Sequence, residues 1–194
     1  MLSRPMPHSV LIVSASARDT EGIRGLLLES GFIKMSVAMD VAVARESCGL
    51  QQYDIVIMNV PAQEESFRFA CELTEQEFAG VLLLVKNDLY EETFHRVGQY
   101  GVMVLPKPVG RTIFMQALWL LAAMRNRVRG MEDKARSLET KMNELKMVER
   151  AKWVLVEYLK MSEAEAHRYI EKQAMDRRVT RGEIAEGILK TYEN

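Results

Sequence analysis

Between residues 9 and 108 the chain repeats one pattern: a short apolar run, a turn, then a longer stretch with apolar positions three or four residues apart. The runs at Ser9–Val13 (SVLIV), Lys34–Ala38, Asp54–Val60 (DIVIMNV), Val81–Lys86 (VLLLVK) and Gly101–Leu105 (GVMVL) predict five strands. Helical spacing predicts helices over Thr20–Ser30, where Ile23, Leu26, Leu27 and Leu28 precede Gly31, and over Val41–Cys48, Phe67–Leu73 and Leu89–Gln99. Another starts at Arg111, after Pro106-Lys107-Pro108. Strands alternating with helices predict parallel βαβ units in an α/β, doubly wound sheet. Strands that are nearly continuous in apolar character suit a sheet covered on both faces.

From Ala117 the period changes. Apolar residues at Ala117, Leu121, Met124, Val128, Met131, Ala135, Leu138, Met142 and Leu145 follow heptad spacing. Val128, Ala135 and Met142 take the a position and Met131, Leu138 and Leu145 the d position, and leucine at d favours two parallel helices. A long coiled-coil helix and a homodimer are therefore expected. Lys134 would face Glu139 of a second copy and Arg127 would face Glu132, whereas Lys141 against Lys146 is unfavourable. A single helix packing on its own sheet domain is the alternative.

The last segment predicts three helices in a small bundle. Ala151–Leu159 continues the long helix, with Trp153, Val156 and Leu155 or Leu159 turned inward. Ser162-Glu163-Ala164-Glu165 is a capping box that starts a second helix running to about Met175, with Ala166, Tyr169, Ile170, Ala174 and Met175 at helical spacing. Asp176–Val179 is a basic turn. Thr180-Arg181-Gly182-Glu183 is a second capping box, opening a helix through Ile184, Ala185, Ile188 and Leu189. Trp153 and Tyr169 are expected in the core, because aromatic rings dominate small cores. The resulting division is a sheet domain over 1–122, a coiled-coil linker over 123–148 and a helical domain over 149–194.

Composition narrows the function. A net charge of −1 excludes a protein that coats nucleic acid by bulk charge, but Arg177, Arg178 and Arg181 concentrate positive charge in one turn. At 48% hydrophobic the chain can build a core, yet no run of about 18 apolar residues suggests a membrane span. The N-terminus lacks the pattern of a secretory leader. Cys48 and Cys71 form neither a metal motif nor a disulfide framework, which suits a cytoplasmic setting. No catalytic dyad, metal cluster or phosphate loop is visible, so neither an enzyme nor a resident cofactor is expected.

Five βα units with a Lys-Pro dipeptide after the fifth strand resemble the response-regulator receiver domain, a flavodoxin-like fold. That family phosphorylates an aspartate at the end of its third strand, with two acidic residues after the first strand holding Mg²⁺. Here the acceptor position is Asn59. Ser14 and Ala15 stand where the acidic pair should be, Val85 where a hydroxyl should be, and Val104 at the aromatic switch position. Only Lys107 survives. An amide oxygen is too weak a nucleophile to form an acyl phosphate, and Ser14 with Ala15 cannot supply the charged oxygens that Mg²⁺ requires. The resemblance therefore implies a pseudo-receiver, inert to phosphorylation and without a metal. Asp54 should lie at the opposite end of the sheet, and Asp19 is not expected to reach the pocket. Lys107 is expected to hydrogen-bond Asn59 or a loop carbonyl rather than to form an anion site.

Residues 149–189 resemble the ANTAR domain, an RNA-binding module of bacterial transcription antiterminators. The match rests on Ala151-Lys152, the Ser162–Ala166 helix start, Ala174-Met175 with its basic turn, and Ile184-Ala185. That family binds leader transcripts carrying two small stem-loops with hexanucleotide loops and so prevents a terminator from forming. The resemblance implies RNA as partner, with Lys152, His167, Arg168, Tyr169, Lys172, Arg177, Arg178 and Arg181 as candidate contacts. Tyr169 is the residue that could stack a base, and the capped helix starts offer backbone N–H groups to phosphate. A pseudo-receiver joined to such a module also implies control by a ligand-sensing regulatory protein. The rival readings are a DNA-binding response regulator, made less favourable by a short and neutral C-terminal segment, and a dimeric protein-interaction adaptor.

Overall fold

A computed structural model describes residues 6–75 and 79–192, and the chain divides into two compact units, Met1–Arg129 and Gly130–Asn194. In the first unit, strands β1 (Met6–Ser14), β2 (Phe32–Ala38), β3 (Ile55–Asn59), β4 (Gly80–Lys86) and β5 (Met103–Lys107) form one parallel sheet in the order β2-β1-β3-β4-β5. Helices α1 (Ala17–Glu29), α2 (Val41–Leu50), α3 (Glu64–Glu75) and α4 (Tyr90–Val97) connect them, and α5 (Arg111–Leu159) follows β5. The doubly wound sheet is thus as the sequence predicts, with every element close to its expected span.

Successive strand residues point to opposite faces, so the central strands sort into two cores. Leu11, Val13, Val56, Met58, Val81, Leu83 and Val85 pack with Val41, Ala44, Phe67, Ala70 and Leu73 of α2 and α3. Val10, Ile12, Ile55, Ile57, Leu82 and Leu84 pack with Ile23 and Leu27 of α1 and with Phe114, Leu118 and Leu121 of α5. With helices on both faces, alternation of apolar and polar residues disappears from the strands.

The first turns of α5 correct the heptad reading. Ala117 and Leu121 are buried against the sheet rather than aligned with Met124 in an exposed stripe. At the N-terminal edge of the sheet Asp54 fixes the same helix. Its carboxylate accepts hydrogen bonds from the backbone N–H of Ser9 (2.8 Å) and from Arg129 (2.5 Å), with Arg125 Nε 3.4 Å away. Asp54 and Arg125 are both nearly solvent-free. Removing the Asp54 carboxylate would take a counter-charge from the buried Arg125, a loss that costs about 3–5 kcal/mol in buried pairs, whereas losing Arg125 alone leaves Asp54 its bonds from Arg129 and Ser9.

The second unit contains the rest of α5 together with α6 (Glu163–Arg177) and α7 (Arg181–Tyr192). Its core is small: Val148, Ala151 and Leu155 of α5, Ala166, Ile170 and Ala174 of α6, and Ile184 and Ala185 of α7. Four of these eight are alanines, so the helices approach closely. That closeness leaves no room for large rings. Trp153, expected inside, is 70% exposed, and Tyr169 lies at the surface at 38%. Met175, aligned with the inner face by spacing alone, is exposed as well. Among the described residues no helix is long and apolar enough to cross a membrane.

Candidate functional site

In the sheet unit, Ser14, Asn59 and Lys107 end β1, β3 and β5, and so meet at the carboxyl edge where ligands of such sheets bind. Lys107 Nζ donates to Asn59 Oδ1 at 2.7 Å, and Asn59 Nδ2 donates to Ser14 Oγ (3.2 Å) and Asp19 Oδ2 (2.9 Å). The expected Lys107–Asn59 bond is present. Asp19, not expected here, does reach the pocket, because α1 begins at Ala17 and its first turn stands over the strand ends. Asp19 is the one carboxylate among the described residues lining this cavity of about 460 Å³. A single carboxylate that already accepts a bond from Asn59 does not fit the charged oxygen set of Mg²⁺. Val85 and Val104 are buried in the apolar core, and Asp54 lies at the opposite edge of the sheet with Ser9 and Arg125.

In the helical unit both capping boxes form. Ser162 N–H donates to Glu165 Oε2 (2.8 Å) and Glu165 N–H donates back to Ser162 Oγ (3.3 Å). Thr180 and Glu183 repeat the exchange at 2.8 and 3.1 Å. The next amide of α7, Gly182 N–H, donates to Glu144 Oε1 of α5 at 3.2 Å. A Cβ at residue 182 would stand 2.9 Å from Glu144 Cγ, so glycine is what lets α7 close on α5. These amides satisfy carboxylates and hydroxyls of the chain itself. The amides of Glu165, Gly182 and Glu183 are therefore not open to phosphate.

The candidate basic residues separate into two groups. Lys152 is buried, and its ammonium donates to Glu149 and Glu163, each at 2.9 Å. These bonds raise its pKa above the ordinary lysine value, the Glu149 bond most. Its charge is spent inside the bundle, tying α5 to the start of α6. His167 and Arg181 both approach Glu171, at 3.3 and 3.6 Å, and Arg168 Nε donates to the Ala164 carbonyl. Lys172, Arg177 and Arg178 are exposed and make no ion pair among the described residues. Arg178 has φ 56°, in the left-handed region, where it closes α6 together with the bond from Val179 N–H to the Ala174 carbonyl (3.1 Å).

A groove of about 410 Å³ opens between α6 and α7, lined among others by Tyr169, Gln173, Arg177, Gly187 and Tyr192. Only Tyr169 and Arg177 of these were candidates from the sequence. Gln173, Gly187 and Tyr192 carry no motif, and nothing but the pairing of the two helices brings them together.

Residues 136–189, which span both capping boxes and the basic turn, match the ANTAR domain model. The C-terminal unit carries an ANTAR domain. Over nearly its whole length the chain is also similar to the transcriptional regulatory protein PdtaR of Mycobacterium tuberculosis, at 29% identity over 191 residues, 96% of this chain and 91% of that protein. The sheet unit has a receiver fold. It is similar to the signal receiver domain of an HD domain-containing protein from Pseudomonas fluorescens (TM-score 0.55, 18% identity, 67% of this chain and 95% of that one). It is also similar to an adenylate cyclase structure from Rhodopirellula baltica (TM-score 0.58, 14% identity, 66% and 97%) and to the chemotaxis response regulator CheY4 of Vibrio cholerae (TM-score 0.50, 21% identity, 59% and 98%).

Proposed function

We propose that this chain is a transcription antitermination regulator whose ANTAR domain binds looped hairpins in a nascent leader transcript and keeps a terminator from forming. The observation that carries the reading is the ANTAR match over 136–189, on a unit that presents Lys172, Arg177 and Arg178 with uncommitted charge. Similarity to a transcriptional regulatory protein along nearly the full chain supports it. The protein works as a regulator in the cytoplasm, where transcripts emerge, and not as an enzyme.

RNA loops present splayed bases and closely spaced phosphates. Arg177 and Arg178 serve the phosphates, and His167, Arg168, Lys172 and Arg181 supply the flanking positive field. Lys152 is left out of this surface, since both carboxylates bonded to it would have to be given up. A homodimer along Val128, Met131, Ala135, Leu138, Met142 and Leu145 presents two ANTAR units to a two-loop target, and effective concentration then raises affinity without new contacts.

The receiver-like unit acts without phosphorylation. Asn59 offers an amide where a carboxylate is needed, and Asp19 alone does not make a metal site. Control falls instead to a regulatory protein that senses a ligand. Incubation with acetyl phosphate and Mg²⁺ leaves the intact mass unchanged on this reading, and a phosphate adduct overturns that part of it. The decisive experiment is a gel shift of the full chain with a twin-hairpin leader RNA against promoter duplex DNA. Tight retention of the RNA that weakens steeply with salt supports the proposal. Retention of the duplex alone refutes it.

A further inference from the structure

Gly187 is the seventh of the twelve residues of α7. Glycine in a helix interior costs roughly 1 kcal/mol relative to alanine and leaves the backbone bare. Among the described residues nothing crowds this position. A Cβ at residue 187 meets no atom within 4 Å, and among glycines its φ is not one of the positive ones. Gly182, on the same helix, is the contrast, because Glu144 occupies the space a side chain would need. The space beside Gly187 is the α6–α7 groove.

The lining of that groove is chemically mixed in a definite way. Tyr169 and Tyr192 supply aromatic rings, Gln173 an amide and Arg177 a cation, with Ile184 and Ile188 as apolar wall, and the carboxylate of Glu183 is held by the Thr180 amide and hydroxyl. The Tyr192 ring is backed by Tyr158, with centroids 5.6 Å apart. Aromatic rings beside an exposed stretch of helix backbone accept a flat ligand. An amide reads a hydrogen-bonding edge with one donor group and one acceptor. A guanidinium on the rim takes a phosphate. An unpaired nucleotide has all three features, whereas an apolar protein anchor would leave Gln173 and Arg177 unused.

Resting on the RNA-binding reading, we propose that the groove between α6 and α7 holds one unpaired base of the bound loop, placed against the bare backbone of Gly187, stacked on Tyr169 and Tyr192 and read at its edge by Gln173, with Arg177 on the adjoining phosphate. The groove then favours a loop over a stem, because a paired base must first give up its pairing and stacking to enter.

The test uses the full chain and a synthetic twin-hairpin RNA with six-nucleotide loops, carrying 2-aminopurine at each loop position in turn. One position loses fluorescence on binding, as its base stacks. Gly187→Leu fills the groove, removes that quench and weakens Kd on the order of tenfold or more, the scale of one lost stacking contact. Its salt dependence stays like that of the wild type, since no phosphate contact is lost, whereas Arg177→Ala lowers the salt slope by about one. Gly187→Ala guards against misfolding: better helix propensity raises Tm, while the added methyl weakens binding and blunts the quench. Wild-type affinity and an unchanged quench in both Gly187 variants overturn the groove and leave RNA binding intact. Tight wild-type binding with no quenched position does the same. A wild-type chain that binds no looped RNA sinks the RNA reading itself, and the groove with it.

Discussion

Asn59 shows how one amide can tie several strand ends together. It sits at the end of β3, bonded by Lys107 of β5 on one side and to Ser14 of β1 and Asp19 of α1 on the other. Arg178 presents the reverse case, a residue whose backbone is disfavoured for the sake of its position. A side chain in the left-handed region costs roughly 1–2 kcal/mol, which glycine avoids. Arg178→Gly should therefore raise the stability of the helical unit by about 1 kcal/mol in a denaturant titration, and weaken hairpin RNA binding with a shallower salt dependence. A variant that loses stability would show that the arginine side chain, and not the backbone, sets the turn.

The start of α6 concentrates the pH dependence of its unit. The hydrogen bond from Lys152 holds the Glu163 carboxyl below the usual glutamate range. The Ser162 hydroxyl and amide do the same for Glu165. A carboxyl with a depressed folded-state pKa contributes stability that is complete above the unfolded value, near about 4.3, and is lost as pH falls through the folded value. Lys152 has the opposite sign: its raised pKa gives a contribution complete below about 10.4 that disappears as pH rises through the folded value. Melting temperature of the helical transition should accordingly hold level between these limits and fall outside both. Glu165→Gln should lower the neutral-pH plateau and flatten the acid limb. An acid limb as steep as that of the wild type would mean that other carboxylates govern it.

For the molecule as a whole, the open question is what covers α5. Met131, Leu138, Met142 and Leu145 are all more than half exposed, at heptad spacing, on a helix whose polar positions are abundant. Exposed large apolar residues scattered singly are ordinary, but a stripe of them is not. On the proposed dimer, pairing with a second copy of the chain would hide that stripe, with leucine at d in register. Leu138→Glu together with Leu145→Glu should give a monomer by sedimentation equilibrium at micromolar concentration, with each ANTAR unit still folded. Affinity for a twin-hairpin RNA should then drop on the order of a hundredfold, the lower reach of avidity, while affinity for a single hairpin stays put. A wild-type chain that sediments as a monomer removes the dimer outright.

The sequence alone determined everything that depends on local period and local chemistry. Apolar runs between turns placed all five strands, Ser162 with Glu165 and Thr180 with Glu183 marked two helix starts to the residue, and Lys107 was matched with Asn59 from the sequence. Apolar runs and caps need only neighbours along the chain. What tertiary structure decided was which face of each helix is covered, and which distant groups meet. Helical spacing put Trp153 and Tyr169 among the core candidates, but Ala151, Ala166, Ala174 and Ala185 bring the helices too close for an aromatic ring, and both rings lie at the surface. Ala117 and Leu121 fitted a heptad, yet the sheet takes them. Lys152 read as a free cation until Glu149 and Glu163 closed on it, and Asp19 as remote until α1 set it beside Asn59. Gln173, Gly187 and Tyr192 share a groove only because α6 and α7 pack side by side. Period fixes which residues share a face. Side-chain size fixes how near two faces come, and that is settled only when the elements meet.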